Sequence, residues 1–136
     1  MEIKKAEKDE LKFVAEMTKT LFEDEPSDKI FTDEQFNNRL LSYINAGCEA
    51  YLFIDNEVIG YALVDLVKTP YYLIDFFISR QHRRAGQGTM AFQKLLNKLN
   101  TESIDLDVFC WNDRGRKFWE SLGFKERAII MRKDNK

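Results

Sequence analysis

The sequence predicts an α/β fold, a mixed β-sheet with helices packed on it, in a single domain over residues 1–136. Two observations predict the fold class and a third predicts the single domain. Segments rich in aromatic and β-branched residues recur along the chain, and between them apolar residues fall at helical spacing. Of the 136 residues, 44% are hydrophobic and 13% aromatic, enough to build a core of the size one domain needs. No linker, repeat or low-complexity tract divides the chain.

Met1–Lys5 reads as a short first strand. Leu11, Val14, Ala15, Leu21 and Phe22 then mark a helix, which Glu23-Asp24-Glu25-Pro26 ends because the residue before proline avoids helical geometry. Thr32-Asp33-Glu34-Gln35 has the form of a capping box. It opens a second helix with Phe36, Leu40, Tyr43 and Ile44 on one face and Gly47 at its end. Ala50–Ile54 and Val58–Val67 form a hairpin across Asp55-Asn56-Glu57, and Tyr71–Ile78 is the next strand. Phe92, Leu95, Leu96 and Leu99 mark a third helix. Ile104, Leu106 and Val108 alternate with Asp105 and Asp107 as a strand should. Asn112 can cap a fourth helix through Trp119 and Leu122, stopped by Gly123, and Ala128–Met131 reads as a last strand. The expected order is β-α-α-β-β-β-α-β-α-β.

A net charge of −2 gives no support for nucleic-acid binding, which draws on a strong basic excess. No apolar run approaches the ~20 residues of a membrane span. Met1-Glu2-Ile3-Lys4-Lys5 is charged and lacks the apolar centre of a signal peptide. Two cysteines, Cys48 and Cys110, fit a reducing cytoplasm better than a disulfide scaffold, and with one histidine they argue against a zinc site. Both a monomer and a homodimer fit these numbers.

The segment Leu73–Thr89 carries the chemistry. An apolar strand holding one acid, Asp75, runs into a basic loop that ends in two glycines opening a helix. Helix N-termini present unpaired N–H groups and a partial positive charge, so they hold phosphates. Arg83 and Arg84 add charge-assisted donors at the same spot. A P-loop would need Gly-Lys-Ser/Thr, which is absent. Gly86-x-Gly88-x-x-Ala91 matches one form of the dinucleotide-binding turn, with Asp105 and Asp107 downstream. That turn, however, follows its strand directly, whereas here Ser79 to Ala85 intervene.

Arg83-Arg84-Ala85-Gly86-Gln87-Gly88 is similar to the R/Q-x-x-G-x-G/A motif of the GNAT superfamily of acyl-CoA-dependent N-acyltransferases. Asn112 to Phe124 resembles that family's second signature, an Asn-led helix with an aromatic pair ending in Gly-Phe. The resemblance runs through the whole element order. It implies a sheet splayed between the strands at 71–78 and 104–109, with the pantetheine arm of acetyl-CoA in the gap. It places Phe77 and Ile78 main-chain groups on that arm, and Arg83, Arg84, Ala85, Gly86, Gln87, Gly88 and Thr89 around the pyrophosphate. Asn112 would bond the arm or act as a plain N-cap. Phe118 and Trp119 would border it or belong to the core. Arg114, Arg116 and Lys117 would reach the 3′-phosphate or form a solvated face.

The implied reaction moves an acetyl group from acetyl-CoA to a primary amine by direct attack in a ternary complex. The amine must be neutral to attack, so a proton acceptor is needed, and a main-chain N–H at the splay would hold the oxyanion. Asp75 is the candidate general base, because a carboxylate in an apolar strand is costly unless paired or functional. Its alternative is an acid bonded to its surroundings. Many relatives have tyrosine where this chain has Trp119, and indole cannot serve as the acid that protonates the thiolate. Tyr61 and Tyr72 are the nearby hydroxyls in sequence. Cys110 would support a covalent route, but no histidine lies near it in sequence.

In the family, the segment between the first two helices borders the acceptor. Here Glu23, Asp24 and Glu25 would give an acidic rim suited to a cationic small-molecule or peptide amine, or simply a solvated loop. The missing tyrosine also admits a catalytically silent acyl-CoA sensor.

Overall fold

The computed structural model describes residues 1–25, 30–83 and 86–135. Its elements are β1 (Glu2–Lys5), α1 (Leu11–Asp24), α2 (Asp33–Asn45), β2 (Cys48–Asp55), β3 (Glu57–Asp65), β4 (Tyr71–Ile78), α3 (Gln87–Leu99), β5 (Ile104–Leu106) and α4 (Asp113–Ser121), with single 3-10 turns at Lys8–Glu10 and Arg80–His82. The strands form one mixed sheet in the order β1-β2-β3-β4-β5. The first three pairings are antiparallel, and β5 lies parallel to β4 after the α3 crossover.

Local chemistry explains most boundaries. The Thr32 hydroxyl accepts from Gln35 N–H at 3.2 Å while the Gln35 side chain accepts from Thr32 N–H at 2.8 Å, the reciprocal cap read from the sequence. Asn56 takes a positive φ of 66° at the tip of the β2–β3 hairpin, a conformation asparagine tolerates.

Apolar residues pack on both faces of the sheet. One cluster joins Phe53, Ile59, Val64, Leu73 and Ile78 to Phe92 and Leu95 of α3, with Trp119 and Phe124 against it. The other joins Leu52, Tyr61, Leu63 and Phe77 to Val14 and Leu21 of α1 and Leu40 of α2. The strand-to-strand alternation is interrupted once in β4. Leu63 pairs with Asp75 and Val64 with Leu73, so Ile74 is an extra residue. Such a bulge bends the strand and puts neighbours on one face. Ile74 accordingly joins the same cluster as Phe77, and Asp75 points to that side.

Two expectations need correction. β5 ends at Leu106, short of Val108, because its ladder with β4 ends there. Ala128–Met131 forms no strand among the described residues, and Ile129, Ile130 and Met131 are 80%, 86% and 88% exposed. Strand propensity chiefly expresses packing on a pleated surface, and among the described residues no strand pairs with this segment to supply one.

Candidate active site

The site begins where two strands part. β4 and β5 pair only through Tyr71↔Ile104, Tyr72↔Asp105 and Leu73↔Leu106, and β4 then continues to Ile78 paired with β3 on its other side. The bulge at Ile74 starts where the pairing stops. The result is the splay expected between these strands, with main-chain groups of β4 left facing a gap. Alternation decides which ones. A Cβ on Gly60 would lie 2.0 Å from the Phe77 carbonyl oxygen, so Phe77 turns its carbonyl to β3. Phe77 therefore does not offer the main-chain groups expected of it. Ile78 and, by the two-residue period, Phe76 face the gap. The Ile78 carbonyl accepts a hydrogen bond from Arg83 Nε at 2.7 Å.

The glycine cradle sits at the end of β4. Gly86 is the N-cap of α3 with φ 73°, which favours glycine, and its carbonyl accepts the Met90 N–H. No acid occupies the first turn, so the N–H groups of Gln87, Gly88 and Thr89 keep the positive end of the helix uncompensated. A Cβ at Gly86 would meet nothing within 4 Å, so the approach to these donors is open. At Gly88 a Cβ would lie 3.3 Å from the Phe118 ring, so glycine lets α4 pack close to α3. The Gln87 amide donates to Asp55 at 3.2 Å. Arg83 lies over the Phe77 ring at 5.6 Å, its guanidinium beside the same strand end. These groups suit the pyrophosphate of an acyl-CoA. Arg84 and Ala85 lie outside the described residues.

On the other side of the gap, the Asn112 side chain accepts the Gly115 N–H at 2.9 Å and caps α4. Trp119 packs edge-to-face on Phe76, Phe92 and Phe124 with ring centroids 5.2–5.4 Å apart. It packs partly buried against the core, and Phe118 stacks on Phe76 at 6.1 Å.

Asp75 is buried and fully engaged. Arg39 of α2 donates to both its oxygens at 2.9 Å, and the Tyr61 hydroxyl donates to Oδ2 at 3.0 Å. Thr18 of α1 bonds Tyr61 at 2.6 Å, and the Arg39 guanidinium lies 5.1 Å from the rings of both Phe22 and Tyr43. Such a bidentate pair is what lets two charges leave water together.

The acidic rim divides by role. Asp24 takes hydrogen bonds from Arg80 and Arg83, both on the loop leading to the glycines. Burial pushes the Asp24 carboxyl up, but the two guanidinium groups outweigh it and hold the pKa below the usual range. Glu25 is different. Its surface is open to solvent, yet protein crowds it on most sides, and that desolvation, followed by the charges of Asp75 and Asp24, raises its pKa to about 6. It lines a cavity of 280 Å³ with Phe109, Trp111, Asn112, Asp113 and Arg114. Glu23 is exposed and lies outside that lining.

The model of the acetyltransferase (GNAT) family matches residues 11–124. The chain belongs to the GNAT acetyltransferase family. Its fold is shared with a mutant protein from Bacillus halodurans (TM-score 0.79, 22% identity, 98% of this chain and 99% of that one). It is also shared with a predicted acetyltransferase from Clostridium acetobutylicum crystallised with acetyl-CoA (TM-score 0.72, 17% identity, 98% and 95%). A third is aminoglycoside 6′-N-acetyltransferase from Acinetobacter haemolyticus (TM-score 0.72, 17% identity, 100% and 99%). No curated protein matches the sequence.

The site's tyrosine hydroxyls are both held in their protonated form. Tyr61 is buried, bonded to Thr18 and Asp75, and its pKa is driven well up by desolvation, then by the Asp75 charge. Tyr72 is also raised, by burial and then by its hydrogen bond to Asp107. Neither is tuned to give up a proton. Cys110 is exposed and does not line the cavity. The sequence reading missed Arg39, Phe109 and Trp111. Arg39 had a signal, being a lone cation between Phe36 and Tyr43 on the apolar face of its helix, with a lone acid in an apolar strand to answer it.

Proposed function

We propose that this GNAT chain is a single N-acetyltransferase domain that moves an acetyl group from acetyl-CoA to a primary amine by direct attack in a ternary complex. The observation that carries this reading is the position of Glu25, with a pKa of about 6, on a cavity that also reaches Asn112 at the head of α4. The donor supplies a thioester carbonyl. The α3 N-terminus at Gly86–Thr89 and Arg83 hold its pyrophosphate, the Ile78 and Phe76 main chain receives its arm, and Asn112 stands at the far side of the gap.

Glu25 takes one proton from the bound ammonium, the neutral amine attacks the thioester carbonyl, and the second nitrogen proton leaves with the departing thiolate as the free thiol. A base works best with a pKa near the operating pH, and about 6 leaves Glu25 ionised at neutral pH while still basic enough to accept. Asp75 is the weaker choice, since Arg39 and Tyr61 already occupy its oxygens. We assign it to holding α2 against β4 and to setting the field at Glu25. A main-chain N–H of β4 at the gap steadies the oxyanion. The thiolate leaves without a tyrosine, since Trp119 packs against the core. Two free cysteines agree with a cytoplasmic enzyme, and among the described residues no helix is long and apolar enough to cross a membrane.

Incubation with acetyl-CoA and a mixed amine and peptide library, read by mass spectrometry, tests the reading. Acetylated amine is expected. Acetyl-CoA binding without transfer to any amine would favour the silent sensor instead. Cys110→Ser is expected to keep full turnover, and its loss with normal acetyl-CoA binding would defeat direct transfer.

A further inference from the structure

Two stretches with strand patterning fall short of it in the fold. Ile104, Leu106 and Val108 alternate with Asp105 and Asp107, yet β5 stops at Leu106. Residues 128–131 have strand composition, yet pair with no strand among the described residues. β5 ends the sheet, so among the described residues no strand lies against its outer edge. An open edge of this kind is a template for another strand. Ile129, Ile130 and Met131 are three consecutive large apolar residues in the open, an arrangement a chain keeps where something covers it. The chain is tied to its own α4 just before them. Phe124 N–H donates to the Trp119 carbonyl at 3.1 Å, and Arg116 donates to Glu126 at 2.9 Å.

We propose that residues 128–131 of one copy of this chain pair with the outer edge of β5 in a second copy, reciprocally, in a two-fold dimer. Each copy gives one strand and receives one, which closes the assembly at two. Charge selects the partner. Glu102, Asp105 and Asp107 are the only charged residues from 101 to 109, whereas Arg127 and Lys133 flank the apolar run. An acidic edge facing a basic-flanked strand is complementary, while edge on edge or tail on tail sets like charges together. The other edge strand, β1, carries Lys4 and Lys5, and edge lysines discourage an added strand. Alternation fits as well. Ile129 and Met131 share one face of the added strand and extend the row of Ile104 and Leu106, which already belongs to the core. The new ladder carries β5 on past Leu106 to Val108, so each unfinished strand supplies what the other lacks.

Sedimentation velocity on the full chain over roughly 1 to 200 μM, where a small interface dissociates, tests the proposal. A dimer is expected. Glu102→Lys with Asp105→Lys makes one charge-swapped chain, and Arg127→Glu with Lys133→Glu makes another. Each alone should dimerise at least about tenfold more weakly. Mixed, they should form a one-to-one dimer, since each swapped edge then meets a swapped tail and each natural edge a natural tail. Pairing within a single chain would give no such recovery and would overturn the proposal. Ile129→Pro with Ile130→Pro keeps apolar bulk but removes two main-chain donors from an exposed segment, so this variant should be a folded monomer by sedimentation and circular dichroism. A wild-type chain that stays monomeric throughout, an open-ended polymer, or a dimer that survives the prolines would each overturn the exchange.

Discussion

Arg39 and Asp75, thirty-six residues apart in sequence, meet through two parallel hydrogen bonds of 2.9 Å, and the Asp75 side chain keeps only 4% of its surface exposed. Removing one partner leaves the other charged and buried. Arg39→Ala should therefore cost about 3–5 kcal/mol, measured by urea unfolding. The double variant Arg39→Gln with Asp75→Asn replaces the ion pair by neutral hydrogen-bonding groups and should recover most of that loss. If that double variant folds but turns over more than about a hundredfold slower, the base would be Asp75 after all.

Glu25 should govern the acid limb of the pH profile. Turnover is expected to rise with pH and level off above about 6, as the carboxylate forms. Glu25→Gln should remove that limb and lower kcat by roughly a hundredfold or more. The stability effect has a fixed sign. A carboxyl whose folded pKa is raised binds its proton more tightly when folded, so ionisation opposes folding. Glu25→Gln should thus raise the Tm at pH 8 relative to wild type and leave it unchanged at pH 4.

Asp24 pairs with two guanidinium groups on the loop leading to the glycine cradle, Arg80 and Arg83. An incoming pyrophosphate must compete with it. Asp24→Asn is expected to tighten acetyl-CoA binding by about fivefold, equivalent to roughly 1 kcal/mol for one competing charge. Equal affinity by calorimetry would show that the carboxylate and the phosphate do not share these arginines.

Gly115 supplies the N–H that the Asn112 side chain accepts at the head of α4, and the structure leaves no room for a side chain there. A Cβ there would lie 2.5 Å from Asn112 Nδ2, so the cap folds over a position that has no room for a side chain. Gly115→Ala should push Asn112 off its cap and lose about 1 kcal/mol. Asn112→Ala should lose a similar amount, and the double variant should cost little more than either alone, because both remove the same hydrogen bond. Full additivity of the two losses would mean that they act independently.

Much of this molecule could be read from local chemistry. The Thr32 capping box, the hairpin at Asn56, the glycine-led start of α3 and the Asn112 cap each depend on residues within a few positions of one another, and each is found in place. The Arg83–Gly88 and Asn112–Phe124 motifs led to the family by the same local logic. The misreadings share an origin too. Ala128–Met131 has the composition of a strand but, among the described residues, no strand that pairs with it. Phe77 was assigned to the gap, and its carbonyl faces β3 because the bulge at Ile74 shifts which residues alternate to which side.

The glycines and the helix N-terminus they open were legible from motif spacing, because they are neighbours in the chain. The surroundings of Glu25 and Asp75 were decided by folding. Glu25, Asp75 and the stacked pair Phe109–Trp111 come from three distant segments, and their charges and rings influence one another only after α1, β4 and the turn following β5 are brought together. A carboxyl's pKa depends on the charges and solvent within a few ångströms. That environment is a property of the packed sheet and helices, and no stretch of sequence holds it alone.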